Sequence, residues 1–294
     1  MKNYVITGSI GHISKPIVAG LVKAGKNVTV LTSNAEKVKE IEQLGAKALV
    51  GSVQDNAFTK TSFAGADVVY TMIPPIWQTD NWRASQKKIA DNYTDAIKSN
   101  NVKYVVNLSS LGAHLADGTG PVIALHDFEL SLNAIPKLNV KHLRPSFFYY
   151  NLLSQIGLIK QAGIMGANYG VEDQKIALVH PRDIATVALD ELLNLNFSGS
   201  SVRHIVSDER TGKDIAKVLG KSIGKDLPWV TFSDEDQLKG LLDGGVPTSH
   251  AASFVEMGAA FRNGKMQELL SKEKTVGSTK LEDFAKEFID AYNV

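Results

Sequence analysis

The sequence predicts an α/β fold: a doubly wound parallel sheet with helices on both faces, and a smaller, mostly helical C-terminal cap. Two patterns carry this. In the first half, short runs that are apolar at every position alternate with longer amphipathic runs, as strands buried on both faces require. The first such run also passes straight into a glycine-bearing turn that opens a helix, which is how a βαβ unit begins.

Tyr4-Val5-Ile6 is the first strand, and Ile13 to Lys23 a helix with Ile17, Val18, Leu21 and Val22 on one face. Val28 to Leu31 is the second strand, followed by a helix over 35–44 with Val38, Ile41 and Leu44 inward. Ala48-Leu49-Val50 and Val68 to Met72 are the third and fourth strands. A long helix is expected from Asp80 to Ser99, then a strand from Lys103 to Leu108. A helix near Leu125 to Ala134 leads to a sixth strand at Val140 to Leu143. Ile176 to Val179 and His204 to Val206 read as further strands, with a helix from Asp183 to Leu193 between them. Later segments 214–223, 234–242, 249–261 and 281–291 read as helices. The acidic run Asp234-Glu235-Asp236 stands where its helix begins, as cap and dipole chemistry favours. There is no internal repeat and no low-complexity linker, so the cap is expected to be woven from late segments.

Composition narrows the function. Thirty-two Lys and Arg against thirty-one Asp and Glu leave a charge of +1 over 294 residues, which gives no electrostatic reason to expect nucleic acid or an anionic membrane as partner. With no cysteine, disulfides, thiolate metal sites and a cysteine nucleophile are excluded. The seven histidines lack His-x-His or His-Glu-x-x-His spacing, so no metal is expected. The longest apolar run, Val68 to Trp77, is broken by Thr71, Pro74 and Pro75, well short of the roughly 18 residues of a membrane span. The N-terminus turns polar and glycine-rich too early for a signal peptide. A cytoplasmic protein is expected.

The turn Thr7-Gly8-Ser9-Ile10-Gly11-His12-Ile13-Ser14 has Gly-x-x-Gly-x-x-Ser spacing. A glycine at the strand end permits a tight turn, and a second lets backbone approach a pyrophosphate. The helix N-terminus then offers free amides and partial positive charge to that anion. Ser14 fills the third small position and suits an N-cap. The alternative is an ordinary βα turn, but strand before and helix after favour a dinucleotide. Residues 1–150 are therefore expected to form an NAD(P)-binding, Rossmann-like domain, its sheet completed by 176–208. Residues 151–175 and 209–294 would make a substrate-side cap.

Which dinucleotide binds is read after the second strand. In place of the acid that would hold the ribose hydroxyls of NAD, the chain has Thr32-Ser33-Asn34 with Lys37 one turn on. Hydroxyls and an ammonium favour NADP(H) over NAD(H), although Lys37 could equally be a solvated surface lysine.

The first turn, the strand end Asn107-Leu108-Ser109-Ser110-Leu111-Gly112-Ala113-His114, the pair His126 and Glu129, and Leu143-Arg144-Pro145 resemble the NmrA-like branch of atypical short-chain dehydrogenases. Phe148, Asn151 and the run His180-Pro181-Arg182-Asp183-Ile184-Ala185 continue the likeness, which covers the first two-thirds of the chain. Within the branch it is most similar to NAD(P)H quinone oxidoreductases and azo- and triphenylmethane-dye reductases. The resemblance implies that Gly8, Ser9, Ile10 and Gly11 hold the pyrophosphate and Ser33 lies near the adenosine ribose. Met72, Ile73 and Pro74 would line the adenine and ribose side. Leu108 and Ser109 would lie near the nicotinamide, with Pro145, Ser146 and Phe147 covering it.

One departure bears on the chemistry. Short-chain dehydrogenases typically place a tyrosine four residues before a lysine that lowers its pKa, and none of the eight tyrosines here has a lysine at that spacing. Tyr150 also stands where similar sequences often carry glutamate. Two residues remain as catalytic candidates. His126, on the helix after the fifth strand, could hydrogen-bond cofactor or substrate, or be satisfied by solvent or Asp127. Ser109 could bind substrate or the carboxamide, or only cap its turn. Trp77, Trp82, Phe147, Phe148, Tyr149 and Tyr150 are expected to flank the cleft and suit a flat acceptor. The expected function is hydride transfer to a conjugated, quinone-like or azo-dye acceptor, whose reduced oxyanion is stabilised without an enzymic acid. The rival is a non-catalytic NAD(P) redox sensor, with a sugar-nucleotide epimerase third. Homodimerisation is left open.

Overall fold

The computed structural model describes residues 2–76, 79, 81–270 and 274–294. The elements of the first half are β1 (Asn3–Ile6), α1 (Ser14–Lys23), β2 (Asn27–Thr32), α2 (Val38–Gln43), β3 (Lys47–Val50), α3 (Asn56–Ser62), β4 (Val68–Thr71), α4 (Trp82–Ser99), β5 (Tyr104–Leu108), α5 (Ile123–Asn133), β6 (Asn139–Pro145) and β7 (Phe147–Phe148). The second half adds α6 (Ile156–Ala162), β8 (Met165–Ala167), β9 (Lys175–Val179), α7 (Pro181–Asn194), β10 (Ser200–Val206), β11 (Asp208–Thr211), α8 (Gly212–Ser222), β12 (Trp229–Thr231), α9 (Asp234–Asp243), α10 (Thr248–Arg262), β13 (Lys274–Val276) and α11 (Leu281–Tyr292).

Among the described residues eight strands form the main sheet in the order β13-β10-β6-β5-β4-β1-β2-β3, and every pairing in it is parallel. Strand order reverses at β1, between β2 and β4. Alternate residues of β1 explain its unbroken apolar pattern: Tyr4 and Ile6 pack with Ile17, Leu21 and Ile184 of α1 and α7, while Val5 faces Ile89, Tyr93 and Phe128 of α4 and α5. A third core joins α8, α11 and the 149–155 turn through Ile215, Leu219, Phe284, Phe288 and Leu152.

The sheet differs from expectation in one respect. Residues 175–179 leave it and pair with β11 and β7 in a separate three-stranded sheet, so β10, extended by β13, completes the doubly wound layer. The short elements α3, α6, β8, β11, β12 and β13 carry too few residues for periodicity to reveal them. Only α3 announces itself, through Asp55, whose carboxylate accepts from the Ala57 and Phe58 amides. The expected helix start at Asp80 lies outside the described residues. Ser233 caps α9 by accepting from Asp236 N, and Asp234 is held at a pKa of about 2 by Arg262 and Asn168, joining the residue that follows β8 to α9 and α10.

Candidate functional site

The site is built where strand order reverses, at the carboxyl ends of β1 and β4. Thr7 Oγ1 accepts from the Met72 amide at 2.9 Å, and the Thr7 amide donates to the Tyr70 carbonyl at 3.1 Å, locking the two strand ends together. The chain then turns through two left-handed residues, Gly8 at φ +83° and Ser9 at φ +58°. A Cβ on Gly8 would lie 2.5 Å from Met72, whereas one on Gly11 would meet nothing within 4 Å among the described residues. The space above Gly11 is therefore open. Ser14 is not the expected N-cap but the first residue of α1, and buried. The capping residue, Ile13, has no side-chain capping bond, and the first turn holds no acid. An uncapped positive helix end facing open space fits a pyrophosphate.

A cleft of about 650 Å³ runs from this turn over the ends of β2, β3 and β4. Of the residues expected at a cofactor, Gly8, Ser9, Thr32, Ser33, Met72 and Pro74 line it. Ile10, Gly11 and Lys37 line an adjoining groove that shares Gly8 and Ser9. Ile73 lines neither, packing against the α4–α5 core. Residues 51–54 after β3, and Ile89 and Tyr93 of α4, also line the cleft and were not expected. The position of β3 beside β2 could have pointed to the first group.

At the end of β2, Thr32 Oγ1 accepts from Ser9 Oγ at 3.0 Å and from the Asn34 amide at 3.2 Å, which leaves Ser33 exposed beside the cleft. Asn34 caps the following turn through the Glu36 amide. Lys37 is not free, since its ammonium pairs with Glu40 at 3.3 Å.

The residues expected near a nicotinamide gather at the ends of β5 and β6, outside both clefts. Leu108, Ser109, Pro145, Ser146 and Phe147 are buried there. Ser109 Oγ donates to Glu129 Oε1, and Arg144 grips both oxygens of that carboxylate, so Ser109 belongs to a buried network rather than a turn cap. Ser146 Oγ is buried with no hydrogen-bond partner among the described residues, an orphaned polar atom of the kind a ligand can satisfy. His126 is half-buried and bonds the Ala113 carbonyl at 2.9 Å, not Asp127. A carbonyl only accepts, so the neutral ring carries its proton on Nδ1 and keeps Nε2 as an acceptor.

The aromatic residues divide. Phe147 packs on Tyr169 and Phe261, and Tyr149 stacks on Phe284 at 5.2 Å, so both belong to the core that joins α8 and α11 instead of the cleft wall. Phe148 packs against the core under α1 and α7. Trp77 lies outside the described residues. Trp82 stacks on His250 at 5.3 Å, and His250 Nε2 reaches the carbonyl of Ile76 on the cleft rim. Tyr150 meets His12 of the turn edge-on at 4.5 Å and donates its hydroxyl to Glu287. Burial and that carboxylate push the phenol up to about 12, the opposite of what a neighbouring lysine would do to a catalytic tyrosine. Among the described residues no three His, Asp or Glu side chains are grouped to hold a metal, and no helix is long and apolar enough to cross a membrane.

A reductase from Streptomyces griseus that acts on (4-alkanoyl-5-oxo-2,5-dihydrofuran-3-yl)methyl phosphate is 24% identical over 224 residues, 74% of either chain. An NADPH-dependent quinone oxidoreductase from Escherichia coli, solved with NADPH, superposes with a TM-score of 0.76 at 18% identity, covering 97% of this chain and 99% of that one. The Citrobacter triphenylmethane reductase complexed with NADP(H) gives 0.76 at 16% identity with the same coverage. At these identities the two structures establish the shared fold. The NmrA-like family model matches residues 1–290, and the chain belongs to that family.

Proposed function

We propose that this protein is an NAD(P)H-dependent reductase that favours NADP(H) and passes hydride to a flat conjugated acceptor such as a quinone or an azo dye. The carrying observation is the turn itself: left-handed Gly8 and Ser9, open space above Gly11, and the uncapped start of α1 at the point where strand order reverses. The NADPH-bound quinone and dye reductases of the same fold support the reading.

A reduced nicotinamide would supply the hydride. The chain's own part is to bind and orient. The amides at the start of α1 receive the pyrophosphate, and Ser33 with Lys37 receives the adenosine ribose and its phosphate. Ser146 Oγ offers an unspent hydroxyl at the other end, with Leu108 and Pro145 as apolar walls. His126 Nε2 accepts from a cofactor or substrate hydroxyl. Tyr150 is no acid, held as it is against Glu287. A conjugated acceptor tolerates that, because its reduced oxyanion is stabilised internally and takes its proton from water. A simple ketone does not, since a general acid typically contributes 10²–10⁴-fold.

The second reading, a sensor that binds NAD(P) without turnover, is favoured by one observation: the Ser109 hydroxyl is already committed to Glu129. Loss of reduced-cofactor absorbance at catalytic protein concentration separates the two. Turnover with benzoquinones, naphthoquinones or azo dyes, and none with simple ketones, is expected. Binding of NADPH with no turnover across that panel would leave the sensor.

A further inference from the structure

The groove beside the phosphate turn holds an acid in an unusual position. Glu40, on the first turn of α2, receives two ammonium groups from two different segments: Lys15 of α1 at 2.8 Å on Oε1, and Lys37 of the preceding turn at 3.3 Å on Oε2. All three side chains line the groove that shares Gly8 and Ser9 with the main cleft. Dinucleotide folds that read NAD put an acid at the end of the second strand. Here that position is Thr32-Ser33-Asn34, and the acid comes from a helix turn further on, already neutralised. From this geometry we infer that Glu40 is the cofactor-selectivity residue: its carboxylate holds Lys15 and Lys37 in place of a 2′-phosphate, which must displace it to bind. The inference rests on the NAD(P)-binding reading above.

A carboxylate carries one charge and two oxygens, whereas a phosphate monoester carries nearly two charges and three oxygens. The phosphate therefore takes both ammonium groups from Glu40 and uses them as a preformed pair. The hydroxyl of NAD is neutral and leaves the lysines where they are. Hydrogen bonds from Lys15 and then Lys37 hold the Glu40 carboxyl below the usual carboxylate range, so the placeholder stays anionic throughout the neutral range. Lys15 enters the site through this pairing and was not singled out by the sequence pattern. The pairing preorganises the lysines while taxing NADP(H) for its entry. Selectivity is thereby set by a competition inside the chain, not by the lysines alone.

The test is calorimetric titration of wild type, Glu40→Gln, Lys15→Met/Lys37→Met and the control Glu36→Gln with NADP+, NAD+ and 2′,5′-ADP. Glu40→Gln should tighten NADP+ and 2′,5′-ADP about fivefold, the scale of two exposed ion pairs, and leave NAD+ within twofold. The lysine double variant should weaken the two phosphorylated ligands at least about tenfold and spare NAD+. Glu36→Gln, on the turn that carries Lys37 but outside the triad, should change neither ratio. All four chains should melt within a few degrees of one another, because Lys15, Glu36 and Lys37 are exposed and Glu40 is only half-buried, where ion pairs contribute little. If Glu40→Gln weakens NAD+, Glu40 is a ribose acceptor and the inference is overturned, as it is if Glu40→Gln and Glu36→Gln act equally. Failure of the wild type to bind NADP+ or NAD+ at all would overturn the NAD(P) reading and this inference with it.

Discussion

Ser109 and Glu129 are joined by a 2.5 Å hydrogen bond that ties the end of β5 to the middle of α5, and the same carboxylate is gripped by Arg144 of β6. All three residues are buried. Removing one partner of such a pair leaves a charge stranded in the interior, which typically costs about 3–5 kcal/mol. Urea unfolding should show a loss of that size for Arg144→Met, and a smaller one when Glu129→Leu is added. Ser109→Ala should cost only about 1 kcal/mol. An Arg144→Met variant as stable as wild type would show the network to be incidental.

The two glycines of the phosphate turn should behave oppositely. Gly8→Ala forces a side chain into a left-handed residue and against Met72, at a cost of about 1–3 kcal/mol. At Gly11 an added Cβ has no atom of the described residues within 4 Å, so for Gly11→Val the melting temperature should hold while NADPH binding is lost. Unchanged affinity in Gly11→Val would make the turn purely structural.

Ser33 lies exposed beside the cleft next to the Thr32–Ser9 hydroxyl pair. An acid introduced there repels a 2′-phosphate and accepts from a ribose hydroxyl. Ser33→Asp should reverse the order of NADPH and NADH affinities in titration calorimetry. A preference that stays put sinks this assignment.

Acid should weaken the fold through His142. The imidazole is fully buried in β6, accepting from the Asn107 amide on Nδ1 and donating from Nε2 to Asn133. Burial, chiefly, pushes its pKa down to about 4, against about 6.5 in the unfolded chain. The unfolded state takes up the proton first, so stability present above pH 6.5 is lost as pH falls toward 4, by about 3 kcal/mol. His142→Gln should be less stable at pH 7 but flatter across that window. Equal slopes for the two proteins would refute the assignment.

The parallel sheet and the phosphate turn were legible because both are local: β1 shows its two buried faces in three consecutive residues, and the turn shows its glycines at fixed spacing. What stayed hidden depends on distant partners. Nothing beside Ser109 in sequence reveals Glu129 twenty residues on, and although Lys37 stands out by its place after β2, neither Lys15 nor the Glu40 carboxylate that joins the two lysines does until α1 and α2 bring them together. Phe147 and Tyr149 carry the same chemistry whether they line a cleft or a core, and only Phe261 and Phe284, supplied by α10 and α11, decide for the core. Residues 175–179 likewise have a strand's composition without any mark of which sheet they join.

Strand order in the main sheet has a consequence for synthesis. From β1 outward the order β4, β5, β6, β10, β13 is also the order in which these strands leave the ribosome. Each one after β3 is added at a single growing edge, and none has to be threaded between two that are already paired. The three-residue β13, with Lys274 bound to Glu209, then ends that edge as a short, charged strand of the sort that resists pairing with another chain. A nascent chain halted after β6 would carry the complete phosphate turn and β4 beside it while still presenting the seven-residue β6 as an open edge, the kind of edge that can pair with another chain.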